Sequence, residues 1–314
     1  MNRLKDYFTL FRWPNLVIIT LSMVLLRWCV ILPGLGVKQA MPAGLFVLLL
    51  LSVLFITMGG YLINDYFDMD ADRINKPGKN RVGASVSVSA AMNLYYFFSA
   101  LGVAAGLWVS WQVGQINYGL IFLFTVGILW YYSERYQCHP LLGNVVVALL
   151  SALSFGLVWL FDFFALRNNS EVFTSAQADF GFVSRLVLLY MAFAFLSGLF
   201  REMVKDMEDK EGDERMGCRT LAVRFGIAVA KKWALASGTV MLLFLFFAQY
   251  FLIRSGFYFV SGYFTAVDIL LLIILWKLKQ AADIVDFSNV SGLAKLFMLL
   301  GVLSMALFCF EWMN

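Results

Sequence analysis

The feature that most constrains this chain is a series of nine long apolar segments. A bilayer core of about 30 Å is crossed by about 20 apolar residues in a helix, and each segment approaches or exceeds that length. Of the 314 residues, 61% are hydrophobic and 14% charged, which is outside the range of soluble domains. We therefore predict an all-α, polytopic membrane protein. The spans are expected at about residues 15–33, 43–63, 86–110, 116–133, 142–163, 182–202, 232–253, 258–276 and 291–311.

The chain is expected to form a single membrane domain over residues 1–314, because no Ser-rich linker or low-complexity tract divides it. Two acidic segments, at 64–72 and 205–213, are separated by four predicted spans and so lie on the same side of the membrane. This spacing favours an internal repeat of about four helices, with a ninth helix appended.

The basic residues predict the orientation of the bundle. If the N-terminus is cytoplasmic, 19 of the 24 lysines and arginines lie at the cytoplasmic side. The positive-inside rule then places the N-terminus and both acidic segments in the cytoplasm. This bias accounts for the net charge of +4 without a nucleic-acid partner.

Cysteine and histidine usage excludes several kinds of site. The four cysteines are far apart in the sequence and form no CxxC pair, so neither a zinc knuckle nor a redox motif is supported. The chain has one histidine, His139, in a predicted loop. A His-rich metal site or a Ser-His-Asp triad is therefore excluded on residue supply.

The most specific chemical signal is an aspartate spacing that occurs twice. Each copy has aspartates at relative positions 0, 3 and 7, which fall on one face of a helix. Like charges on one face repel, and oxygen-only clusters of this kind select hard cations such as Mg²⁺ where the substrate carries phosphate. The six residues are Asp65, Asp68 and Asp72 in the first copy and Asp206, Asp209 and Asp213 in the second.

Each acidic segment is accompanied by cations that suit a phosphorylated ligand. Asn64 adds an amide one turn from Asp68, and Arg73, Lys76, Lys79 and Arg81 follow the first copy. Lys205 and Arg219 flank the second copy in the same way. The alternative is a solvated, charged loop, but identical spacing on the same side of the membrane argues against it.

Several motifs resemble the UbiA superfamily of intramembrane prenyltransferases. The segment NDYFDMDADRINKP resembles that family's NDxxDxxxD signature, and KDMEDKEGD resembles its second aspartate-rich motif. RWPN at 12–15 is similar to the family's entry into its first helix, and YYSERYQCHPLLGN at 131–144 to its loop between the fourth and fifth helices. The resemblance implies a nine-helix bundle around a central cavity and Mg²⁺-dependent transfer of an isoprenoid chain from its diphosphate to a lipophilic acceptor.

The resemblance also implies roles for particular residues. Mg²⁺ would be held by Asn64, Asp68, Asp72, Asp209 and Asp213, of which the four aspartates are the expected catalytic residues. Substrate contacts are expected from Asn64, Asp65, Lys76, Arg81, Tyr132, Asn144, Lys205, Asp206 and Arg219. One departure concerns Gln137, which stands where many relatives carry a lysine. At this position the resemblance therefore gives no support for a diphosphate contact.

The acceptor remains open between two branches of the family. DRINKP and the RExxKDxEDxEGD form of the second motif most resemble the geranylgeranylglyceryl phosphate geranylgeranyltransferases, whose acceptor is a glycerol hydroxyl. TLAVRFG at 220–226 also resembles the quinone-pathway branch, which prenylates an aromatic acid. The expected location is a bacterial or archaeal cell membrane, with the site facing the cytoplasm as the basic residues predict, and the sequence implies no particular protein partner. An ion-coupled transporter is the alternative of another class, but its carboxylates should lie near mid-span.

Overall fold

The structure, a computed structural model, describes residues 9–75 and 81–312, apart from the side chain of Asn75. Within these residues nine helices are long and apolar enough to cross a membrane, which confirms the predicted number and fold class. They are α1 (Trp13–Gly34), α2 (Ala43–Phe67), α3 (Val88–Gln112), α4 (Ile116–Glu134), α5 (Leu142–Arg167), α6 (Phe180–Glu208), α7 (Ile227–Arg254), α8 (Tyr258–Gln280) and α9 (Ile284–Glu311).

The largest differences from the predicted spans are at helix ends. The α6 helix continues to Glu208, several residues beyond the predicted end, so Asp206 lies inside the helix. In the same way α9 begins at Ile284, well before the predicted start at 291. Hydropathy identifies the apolar part of a helix, whereas backbone hydrogen bonding continues through the polar residues that follow it.

The helices pack as two groups joined by α1. The α2 helix packs against α3 and α4, and α6 packs against α5, α7 and α9. The α1 helix contacts α2, α5 and α9. Large apolar side chains are buried between the helices, while many others remain exposed on α3, α4, α7 and α8, as expected of helices that face lipid.

Small residues bring some helices into close contact. Gly102 on α3 lies against Ile56 and the carbonyl oxygen of Ser52 on α2, and the Ser52 hydroxyl donates a hydrogen bond of 2.6 Å to the Gly102 carbonyl. Gly301 on α9 lies against the ring of Phe193 on α6. Close approach at small residues is a usual basis of helix association in membranes.

Both acidic motifs lie at one end of the bundle, here called the acidic end. Two short helices, Met69–Asn75 and Lys210–Arg215, follow α2 and α6 and pack against each other there. At the opposite end Cys29 of α1 and Cys309 of α9 form a disulfide bond, and buried Arg27 pairs with Asp162 of α5. These contacts join residues that are far apart in the sequence, and the sequence analysis did not pair them.

Candidate active site

The two acidic motifs have the same local backbone geometry. Asp68 ends α2 and Asp209 ends α6, with φ,ψ of −85°, 3° and −92°, 3°. In each case the N–H of the aspartate four residues later donates a hydrogen bond to this residue's carbonyl, from Asp72 to Asp68 and from Asp213 to Asp209. Since helix C-termini carry partial negative charge, carboxylates placed there attract cations strongly.

The side chain of Gln137 holds Asp68 and Asn64 together. Its amide nitrogen donates 2.8 Å hydrogen bonds to Asp68 Oδ1 and to the carbonyl of Ser133. Asn64 Nδ2 donates to Gln137 Oε1 at 2.9 Å and to Asp68 Oδ2 at 2.8 Å. Both oxygens of Asp68 are therefore fixed by amide groups from two elements of the chain.

Burial raises the pKa of the Asp68 carboxyl to about 6, against the opposing effects of Lys205 and the Gln137 hydrogen bond, and Asp72 contributes to the rise. An acid with a raised pKa is costly to ionise in its place. A bound cation would remove that cost.

Asp65 is held by an arginine at the start of α1. The guanidinium group of Arg12 donates to Asp65 Oδ1 at 2.5 Å and to Asn64 Oδ1 at 3.1 Å, and it lies 4.8 Å from the ring centroid of Tyr61. Arg12 has a left-handed backbone with φ of 50°, immediately before the helix that Pro14 helps to start. Asp65 is therefore engaged in an ion pair with the first helix.

Asp206 is held by the fifth helix in a comparable way. Asn144 Nδ2 donates to Asp206 Oδ2 at 3.0 Å, and Asn144 is buried. Tyr132 is half-buried near the end of α4 and lies in the electrostatic field of Asp68, Glu202 and Asp206. Its two neighbours differ, because Tyr131 is exposed and the Ser133 hydroxyl donates a hydrogen bond to the Leu129 carbonyl.

The loops at the acidic end are joined to each other. Cys138, next to Gln137, forms a disulfide bond with Cys218, and the Arg219 N–H donates to the Cys138 carbonyl at 2.9 Å. Arg219 is exposed. Arg81 is partly buried at the start of a tight turn that runs to residue 86. Lys76 lies outside the described residues.

The predicted metal ligands supply oxygen donors only, which fits Mg²⁺. In the part of the chain that the structure describes, no three His, Cys, Asp or Glu side chains form a group that could hold a metal ion. The predicted ligands are instead distributed over two facing helix ends, with Asn64 and Asp68 on α2 and Asp209 following α6. This donor set fits a cation that binds between the motifs together with a ligand that bridges them.

Sequence reasoning missed two residues that contact the first motif. Arg12 is part of RWPN and is not among the predicted site residues, although an arginine close before a proline at a helix start is a usable signal. Gln137 is a departure from the family pattern. Its bonds to Asn64 and Asp68 give it a role that no local pattern indicated.

Comparison with known proteins identifies relatives over most of the chain. The model of the UbiA prenyltransferase family matches residues 28–301. The digeranylgeranylglyceryl phosphate synthase of Sulfolobus acidocaldarius is 34% identical over 234 residues, which is 74% of each chain. The enzyme of the same name from Saccharolobus solfataricus is 28% identical and aligns with 93% of this chain and 90% of its own.

Solved structures show the same fold. A structure of digeranylgeranylglyceryl phosphate synthase has a TM-score of 0.64 at 20% identity, covering 99% of this chain and 100% of its own. A UbiA homologue from Archaeoglobus fulgidus, bound to DMAPP and Mg²⁺, has a TM-score of 0.57 at 19% identity, covering 96% of this chain and 99% of its own. The fold of this chain is therefore shared with these proteins.

Proposed function

Because the chain belongs to the UbiA prenyltransferase family, we propose that it transfers a polyprenyl group, in a Mg²⁺-dependent reaction, from its diphosphate to the free hydroxyl of a prenylated glycerol phosphate. The observation that carries the proposal is the matched placement of Asp68 and Asp209 at two facing helix ends. The acceptor class is supported by the relatives named digeranylgeranylglyceryl phosphate synthase.

In the proposed reaction the allylic carbon–oxygen bond of the donor breaks and diphosphate leaves. A bond then forms between the allylic carbon and the acceptor oxygen, whose proton is released. Mg²⁺ would be held by Asn64, Asp68, Asp72, Asp209 and Asp213, and when bound it neutralises charge on the leaving diphosphate.

The chain's own residues would orient the reactants and stabilise charge. Lys205 and Arg219, with Lys76 and Arg81, supply positive charge for the diphosphate oxygens. The ring of Tyr132, which is half-buried and lies in the electrostatic field of Asp68 and Asp206, would stabilise the developing allylic cation. Arg12 and Asn144 fix the carboxylates of Asp65 and Asp206 and so keep the motif helices in place.

The proposal is tested with membranes that contain the protein, labelled geranylgeranyl diphosphate and Mg²⁺. Geranylgeranylglyceryl phosphate and 4-hydroxybenzoate are supplied in parallel as acceptors. We expect a labelled ether lipid with the first acceptor and its loss on addition of EDTA. A product formed only with 4-hydroxybenzoate would overturn the acceptor assignment, and transfer that survives EDTA would overturn the metal requirement.

A further inference from the structure

The side chain of one lysine, Lys295 on α9, forms neither a hydrogen bond nor an ion pair within the described part of the chain. The neighbouring cations differ, since Arg12 pairs with Asp65 and Arg201 pairs with Glu202. Lys205 also differs, because the carboxylates of Glu202 and Asp209 act on its charge. Lys295 therefore brings a positive charge that has no direct partner among the described residues.

Lys295 lies deep along its helix. It is 11 residues after Ile284, which at 1.5 Å per residue is about 16 Å from the start of α9. Its side chain is exposed rather than packed. A lysine at this depth is costly in hydrocarbon and is expected to face a polar space or bind an anion.

The packing of α9 on α6 places Lys295 near Arg201. The two helices are antiparallel, and Phe193 of α6 contacts both Phe297 and Gly301 of α9. Arg201 lies eight residues beyond Phe193 on α6, and Lys295 lies a few residues before the level of Phe193 on the antiparallel α9. The two residues therefore differ in height by about one helical turn, roughly 5 Å, along the helix axis. Because Cβ atoms tilt toward the start of a helix, the two side chains lean toward each other.

The charges around Lys295 indicate which way its side chain faces. The groups that act on it electrostatically are Arg201, Lys205, Arg12 and Glu202. They come from α6 and from the start of α1, and α9 packs against both of those helices. Lys295 therefore faces the space between these three helices and not the surrounding lipid.

We propose that Lys295 and Arg201 bind the phosphate group of the acceptor lipid. Arg201 and Lys295 carry two positive charges, and Glu202 is the anion beside them. A phosphate monoester carries about −1.5 to −2 at neutral pH and can accept a charge-assisted hydrogen bond from each of the two side chains. Arg201 precedes Asp209 by eight residues on α6, about 12 Å along the helix axis, so an acceptor phosphate at Arg201 would not compete with the donor diphosphate for Asp209. This inference rests on the proposed function, because it names the acceptor's binding group.

The kinetic test compares Lys295→Met, which keeps an apolar stem of similar length, with Lys295→Arg, which keeps the charge. We expect Lys295→Met to raise the KM for geranylgeranylglyceryl phosphate about tenfold, the loss of one charge-assisted contact. The KM for geranylgeranyl diphosphate should stay unchanged, and Lys295→Arg should restore the acceptor KM. Lys277→Met, an exposed lysine at the end of α8, is the matched control. A rise in the donor KM instead, or no change in the acceptor KM, would overturn the proposal.

A binding test examines the proposed phosphate site independently of prenyl transfer. Binding of geranylgeranylglyceryl phosphate and of phosphate-free geranylgeranylglycerol is measured on purified protein in nanodiscs. The unmodified protein should bind the phosphorylated lipid more tightly, and Lys295→Met should remove that preference without changing binding of the phosphate-free lipid. No preference in the unmodified protein would overturn the proposal. A preference that depends on Lys295 without any transfer would uphold the site and overturn the proposed function.

The lipid composition of the nanodisc distinguishes binding of the acceptor's phosphate from binding of a bulk lipid head group. Discs of neutral phosphatidylcholine are compared with discs that contain anionic phosphatidylglycerol. We expect the preference for the phosphorylated acceptor in both. If the effect of Lys295→Met appears only as altered retention of phosphatidylglycerol, the site binds a bulk lipid head group and the acceptor assignment is overturned.

Discussion

At the scale of single residues, the partners of Asp65 and Asp68 differ in charge. The carboxylate of Asp65 forms a partly buried ion pair with the guanidinium group of Arg12. The carboxylate of Asp68 accepts hydrogen bonds from the neutral amides of Asn64 and Gln137, as that of Asp206 does from Asn144. A neutral amide gives way to a metal ion more readily than a charged partner does. Asp68 therefore suits a metal ligand better than Asp65 does.

The first prediction concerns Gln137. Replacing it by alanine removes the two hydrogen bonds that orient Asp68 and Asn64. We therefore expect the Mg²⁺ concentration for half-maximal binding to rise about tenfold, in line with about 0.5–1 kcal/mol for each lost bond. The measurement is Mg²⁺ titration of purified protein, followed by thermal stabilisation in the presence of a diphosphate donor. Gln280→Ala, at an exposed position, is the control. An unchanged titration would show that Gln137 does not position the metal ligands.

At the scale of helices, α2 and α6 present their motifs in the same way. Asp68 and Asp209 both end a spanning helix and both precede a short helix of the acidic end. The sequence prediction of a repeated four-helix unit remains a prediction, but this local match is what such a repeat would produce.

The second prediction follows from this equivalence. Asp68→Asn and Asp209→Asn should each lower the rate of prenyl transfer by at least about 100-fold, because each removes a charge that balances the metal and diphosphate. Asp70→Asn should have little effect, since Asp70 is exposed and pairs with Arg73 at the surface. The rates are measured at saturating donor and acceptor. Unequal losses, with one variant near the unmodified rate, would contradict equivalent roles.

The third prediction concerns the contact between α2 and α3. A Cβ atom at position 102 would lie 2.6 Å from an Ile56 side-chain carbon and 3.0 Å from the Ser52 carbonyl oxygen. We expect Gly102→Val to force the helices apart and to destabilise the protein by about 1–3 kcal/mol. Gly127→Val on α4 is the control, because nothing lies within 4 Å of its added Cβ. Thermal unfolding in detergent is the measurement, and equal midpoints for the two variants would argue against close packing at Gly102.

At the scale of the whole molecule, the distribution of basic residues predicts the orientation of the bundle. The excess of lysine and arginine at the acidic end predicts that this end faces the cytoplasm. Glu214 is exposed at the acidic end, and Ser175 is exposed between α5 and α6 at the opposite end.

The fourth prediction uses these two positions in intact cells. We expect Ser175→Cys to react with a membrane-impermeant thiol reagent added outside. Glu214→Cys should react only after the cells are made permeable. The unmodified chain, whose four cysteines are paired, is the control for background labelling. The reverse pattern would place the N-terminus and the acidic end outside.

The sequence by itself determined the number of helices, the fold class and the chemistry at the acidic end. A bilayer requires apolar runs of fixed length, and these can be counted in any sequence. The 0, 3, 7 spacing of the aspartates needs only the period of one helix. For that reason the spacing predicts Asp68 and Asp209 as site residues without knowledge of any contact between helices.

Only the tertiary structure decided which side chains meet across helices. Arg12 with Asp65, Gln137 with Asp68, and Arg201 near Lys295 are separated by about 50 to 95 positions in the chain. Periodicity gives the face on which a residue lies around its own helix axis, but not how that helix is rotated or shifted against its neighbours. That rotation depends on packing at small residues such as Gly102 and Gly301. The donor site at the acidic end is therefore predicted by the sequence. The proposed acceptor site depends on how α1, α6 and α9 pack together, which only the tertiary structure shows.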